Sequence, residues 1–176
     1  KVQLPSYLCY NEAKKGGVIM FQNNLAVIYA HFSDHVTRFS EDKTTLEILN
    51  PFGSENIKIE YVSDDERTPY ILYFSFQHWH MNDEEDILEH INDIINGNLF
   101  SIEFSAKGNR RFGGDIDAQE LQELSYESLE QFTGYYGMSK LKDLADSFKV
   151  RGWHTEANFD AKFIIDEFGN ITIKKL

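Results

Sequence analysis

A chain of 176 residues supports one domain with a core of ordinary size, and 41% hydrophobic against 26% charged residues is the balance of a globular protein in water. Twenty-nine acidic residues against seventeen basic ones leave a formal charge of −12, which argues against a nucleic-acid binder, with its basic footprint, and against docking on anionic lipid. One cysteine, Cys9, excludes an internal disulfide and a thiolate zinc cluster.

Cys9 sits in the apolar "YLCY" and reads as a small buried hydrophobe. No apolar run reaches the ~20 residues that cross a bilayer, and no signal-peptide pattern is visible. With a single thiol, the expected compartment is a reducing cytoplasm.

In chain order, "GGVIMFQ" and "LAVIYAHF" flank Asn23-Asn24 and read as a hairpin. "TTLEILN" and "NIKIEYVS" flank "PFGSE", a second hairpin in which Ile57, Ile59 and Tyr61 alternate with Lys58, Glu60 and Val62. "YILYFSFQHWH" is apolar on both faces at its start and reads as one central strand. A helix follows: Asn82 is its expected cap, Glu85 completes a capping box, and Asp83, Glu84, Glu85 and Asp86 crowd the first turn. Ile87, Leu88, Ile91, Ile94 and Ile95 form one apolar stripe, and Gly97 is the expected stop.

"LFSIEFS", the turn "AKGN" and "RRFGGDI" predict a strand pair. From Asp117 to Phe148 the period turns helical, with Leu121, Leu124 and Leu129 on one face. Ser139 is the expected cap of a further helix carrying Leu141, Leu144, Ala145 and Phe148. "AKFIIDEFGNITIKKL" closes the chain as a hairpin. The expected fold is a single α+β domain over residues 1–176: a mainly antiparallel sheet, one long central helix, and further helices packed on one face.

No complete catalytic motif is present, and the expectation is a protein that is not an enzyme and holds no cofactor. His78 and His80, two apart on a strand, project from one face and suit two imidazoles on one zinc, with Asp83 or Glu84 as a carboxylate. His90 is a third imidazole on the helix. His78 and His80 with one acid define the alternative function, a small metal-dependent hydrolase. The simpler reading is structural: His78 and His80 continue the face of Leu72, Phe74 and Phe76 and pin the strand to the helix's acids. Asp115 and Asp117 in "GGDIDAQE" resemble the start of a calcium loop, but the glycine and glutamate it needs at its sixth and twelfth positions are replaced by Glu120 and Tyr126.

The more informative feature is an unrelieved run of acid. Asp115, Asp117, Glu120, Glu123, Glu127 and Glu130 carry no Lys or Arg among them, and the four glutamates, spaced by three or four, form one ridge if the segment is a single helix. Like charges at that spacing destabilise a helix, so the ridge is either a solvated face or the surface for a cationic partner. Tyr126, Tyr135 and Tyr136, beside the acids, are the expected anchors. The acids opening the central helix are the second choice of surface, and an adaptor or interaction protein is a further alternative.

The block "FSFQHWHMNDEEDILEHINDIINGNLFSIEFSAKGNRRFGG" combines an aromatic strand ending near His or Trp, an acidic helix with "INDIING", and an "IEF…GNRRFGG" hairpin. Over about residues 70 to 114 it resembles small acidic bacterial immunity proteins of polymorphic and contact-dependent inhibition toxin systems. The resemblance implies a cytoplasmic, non-enzymatic antidote that binds one cognate protein toxin. With the charge, it implies a basic, nuclease-type toxin domain as partner, and no nucleic acid or membrane.

Overall fold

The computed structural model describes residues 25–53, 55–62, 67–135 and 140–176. The fold is α+β, as expected, but the strands form two antiparallel five-stranded sheets rather than one. The first sheet is a meander of β1 (Thr37–Phe39), β2 (Thr45–Ile48), β3 (Ile57–Tyr61), β4 (Tyr70–Phe74) and β5 (Gln77–Met81). The second runs in the order β10-β9-β8-β6-β7, from β6 (Leu99–Ala106), β7 (Asn109–Asp117), β8 (Ser147–Arg151), β9 (Phe159–Ile165) and β10 (Ile171–Lys175). Helices α1 (Ala26–His31) and α2 (Glu84–Ile95) serve the first sheet. Helices α3 (Ala118–Gln122), α4 (Tyr126–Tyr135) and α5 (Leu141–Leu144) connect β7 to β8.

The segment expected as the second strand of an N-terminal hairpin is instead α1, and the Asn23-Asn24 turn lies outside the described residues. Leu25, Ile28 and Phe32 are all buried, a helical spacing that an alternating strand would not satisfy. The second hairpin forms as expected: β2 and β3 pair through Ile48↔Ile57 and Leu46↔Ile59, and these four side chains are fully buried.

"YILYFSFQHWH" is two strands. Chain reversal at Ser75-Phe76 pairs Leu72 with Trp79 and Tyr73 with His78. Ser75 takes the left-handed conformation, with φ of 50°, a turn geometry that this residue does not advertise. The reversal also inverts the expected faces. Tyr70, Leu72 and Phe74 point into the core, whereas His78 and His80 point out on the face of Ile71 and Tyr73.

Helix α2 is capped one residue later than expected. Asp83, in extended conformation, accepts from the Asp86 backbone N–H at 3.0 Å. Its stripe docks as read: Ile87, Ile91 and Ile94 are completely buried, with Leu88 and Ile95 half-buried beside them. Gly97, at φ of 73°, ends the helix; its N–H bonds to the Ile94 carbonyl and that of Asn98 to Asp93, so two terminal carbonyls are satisfied. Below the second sheet lies a separate core of Ile102, Phe104, Phe148 and Val150 with Leu129 and Leu141. Phe148 is on β8, not on a helix: α5 stops at Leu144, Lys140 rather than Ser139 occupies its N-cap, and Ser139 lies outside the described residues.

The two cores are stitched together. Trp153, just past β8, is 2% exposed and belongs to the core of the first sheet, where its carbonyl accepts from Asn50 Nδ2 at 2.8 Å. The β4–β5 turn reaches the second sheet through Phe76 N–H to Ser101 Oγ, Gln77 Nε2 to the Ile102 carbonyl, and Arg110 to the Phe76 carbonyl.

Candidate functional site

The acidic segment does not form one helical ridge. Ser125 interrupts it as the cap of α4: its Oγ accepts from the Ser128 N–H at 3.1 Å, while Ser128 Oγ accepts from the Ser125 N–H at 3.0 Å. A serine pair at this spacing is a start signal, and it splits the glutamates between α3 and α4. Glu123 terminates α3, and Glu127 lies in the first turn of α4.

The break brings the acids round a concavity. Asp115 at the end of β7, Glu120 and Glu123 of α3 and Glu127 of α4 line a hollow of about 770 Å³ together with Ser125, Ser128 and Phe132. No Lys or Arg lines it. Packing at "GGD" shapes the wall. A Cβ at Gly114 would strike the Phe132 ring, and one at Gly113 would strike Gln77 and lie 2.7 Å from the Ile102 carbonyl. The two glycines therefore let α4 and the β5 edge close on β7 from opposite sides. Asp115 is held from the first sheet, since its Oδ1 accepts from Trp79 Nε1 at 3.3 Å.

Asp117, Tyr126 and Glu130 do not line the hollow. Asp117 caps α3 in a reciprocal box: its side chain accepts from the Glu120 N–H at 2.8 Å, and the Glu120 carboxylate accepts from the Asp117 N–H at 2.9 Å. Tyr126 is a correction. Rather than an exposed anchor, it is 9% exposed, edge-on to Phe163, with its hydroxyl donating to Glu130 at 3.2 Å and accepting from the Lys142 N–H at 3.1 Å. Burial pushes its phenol pKa up. Glu130 is thereby turned to Tyr126. Tyr135 ends α4, and Tyr136 lies outside the described residues. The aromatic that does line the hollow is Phe132, which lies just after the acids in sequence.

The second candidate surface, at the start of α2, is largely committed to structure. Asp83 caps the helix, and Glu84 accepts from the Tyr70 hydroxyl at 2.5 Å. Burial first, and then that carboxylate, raise the Tyr70 pKa. Glu85 and Asp86 remain exposed.

The expected seam of His78 and His80 with Asp83 or Glu84 is not formed, because both acids are engaged elsewhere. Among the described residues no group of three or more His, Cys, Asp or Glu side chains is placed to hold a metal ion. His90 sits edge-on to Trp79, ring centres 4.5 Å apart, and shares a small hollow with His80. Its buried Nε2 has no hydrogen-bond partner. Burial lowers its pKa against the opposing pull of Asp115, Asp93 and Glu89. No helix among the described residues is long and apolar enough to cross a membrane. No family model, curated protein or solved structure matches the chain.

Proposed function

We propose that this chain is a cytoplasmic immunity protein that neutralises a cognate toxin domain by binding it, with the acidic hollow as the centre of the contact and no reaction of its own. One observation carries the reading: four carboxylates from three successive elements surround a concave surface with no basic side chain lining it. Clustered acid in a cleft focuses the field and accelerates encounter with a cationic partner. A protein that cuts nucleic acid must present such a cationic face to its phosphates. The resemblance of residues 70 to 114 to toxin-system antidotes points to the same partner class.

A stable complex buries roughly 1,200–2,000 Å² in total, so the surfaces flanking the hollow join the contact. The test is capture of a toxin domain from any large secreted protein found encoded immediately upstream, by the wild type and by Glu123→Lys/Glu127→Lys. Affinity is expected to fall at least tenfold, with a slower association rate, while Glu156→Lys on the exposed turn after β8 binds as wild type. Equal binding by the double reversal moves the contact elsewhere. Loss in Glu85→Lys/Asp86→Lys instead assigns it to the α2 terminus. Failure of that domain to bind at all rejects the antidote.

A further inference from the structure

We propose that His78 and His80 form a two-imidazole surface site for a divalent transition ion such as Zn²⁺, Ni²⁺ or Cu²⁺, separate from the acidic hollow. Both residues lie on β5, the edge strand of the first sheet, and both are exposed on its outer face. Alternation along the strand sends the two side chains the same way. Their ring centres are 5.4 Å apart, with the planes inclined at 72°. Two imidazoles sharing one tetrahedral ion need ring centres about 5 Å apart, given metal–nitrogen bonds of about 2.0–2.1 Å. The pair is therefore already near chelating separation.

The surroundings favour an ion. Tyr73, the cross-strand partner of His78, lies beside its ring with centres 5.9 Å apart. Asp83 and Glu84, the carboxylates nearest in sequence, are spent on the helix cap and on Tyr70, so they do not tie up the imidazoles as ion pairs. His80 also borders a smaller hollow of about 310 Å³ that contains Asp86, Glu89 and Asp93, whose charge draws cations to its side of the strand. The opposing charge, Lys58 over the Tyr73 ring, is paired with Glu60 at 3.4 Å. Two nitrogen donors with open positions select borderline transition ions; Mg²⁺ and Ca²⁺ demand oxygen.

Titration calorimetry of tag-free protein with Zn²⁺, and copper resonance spectra, test the site. The expected result is one ion per chain, bound through two nitrogens, tightest for Cu²⁺, and weakened at least tenfold by His78→Ala and by His80→Ala alike. His31→Ala, on α1, is expected to leave binding unchanged. Absence of binding at millimolar ion overturns the site, as does binding that survives both substitutions. Equal response to Mg²⁺ assigns the ion to the carboxylates of the smaller hollow and also overturns it. Loss with His80→Ala alone places the ion against His90 and refutes the pair.

Discussion

His90 shows how a single side chain carries a cost that only its surroundings reveal. Its Nε2 is buried without a partner against Trp79, and burial favours the neutral ring despite nearby Asp115, Asp93 and Glu89. A base whose folded pKa is depressed is neutral in both states above the unfolded value of about 6.5, so stability is unaffected there. As pH falls through that value the unfolded chain takes up the proton first, and stability is lost until the folded pKa is also passed. Stability measured by urea unfolding is therefore expected to drop more steeply between neutral pH and pH 5 in the wild type than in His90→Gln. Parallel profiles contradict this account. Gly114 makes a steric case of the same kind. Its missing Cβ is the space occupied by the Phe132 ring, so Gly114→Ala is expected to destabilise by about 1–3 kcal/mol through overpacking. If the hollow is the contact proposed above, the same change is expected to weaken that contact, because Phe132 and Asp115 flank it. "GGD" was visible in the sequence, but its role as the bed of a helix was not, since the ring arrives from eighteen positions downstream.

At the scale of elements, strong local signals outlasted the errors around them. Helix α2 follows its apolar stripe and stops at Gly97 as read, and the cap moved only from Asn82 to Asp83 because both residues can accept from a third-position N–H. The hairpins β2–β3, β6–β7 and β9–β10 all sit where alternation and turn residues placed them. The β4–β5 hairpin did not, because its turn has no Gly, Asn or Asp. Ser75 holds φ of 50° and its buried hydroxyl lacks a partner, a conformation that costs a non-glycine residue roughly 1–2 kcal/mol. Replacing it with glycine removes both penalties and adds backbone entropy loss of about 0.5–1 kcal/mol. Ser75→Gly is thus expected to raise the melting temperature modestly; a lower one shows that the serine is held by interactions outside this balance.

Across the whole molecule the two sheets are coupled by buried links rather than by mere adjacency. Trp153 leaves the second sheet to fill the core of the first, and Asn50, Gln77 and Trp79 bond across the seam. A cooperative unit follows. Denaturant unfolding is expected to give one transition, with the same midpoint from tryptophan fluorescence and far-ultraviolet dichroism. Two midpoints would show that the sheets unfold independently. Net charge acts at this scale too. With −12 overall and four carboxylates round one hollow, association with a cationic domain is expected to slow at least tenfold between low and physiological salt while dissociation changes little. A salt-independent association rate would remove the charge argument.

The order of most elements, the long capped helix and the excess of acid were fixed by the chain alone, because alternation, helical spacing, caps and composition act between near neighbours. Tertiary structure decided the rest. It divided the strands between two sheets and made α1 of an apolar run that suits a strand equally well. It turned Tyr126 inward and drew Asp115, Glu120, Glu123 and Glu127 round one hollow. Those outcomes depend on contacts between residues far apart in sequence, Phe132 on Gly114 and Trp79 on Asp115 among them, and no local pattern encodes where two packed surfaces will meet.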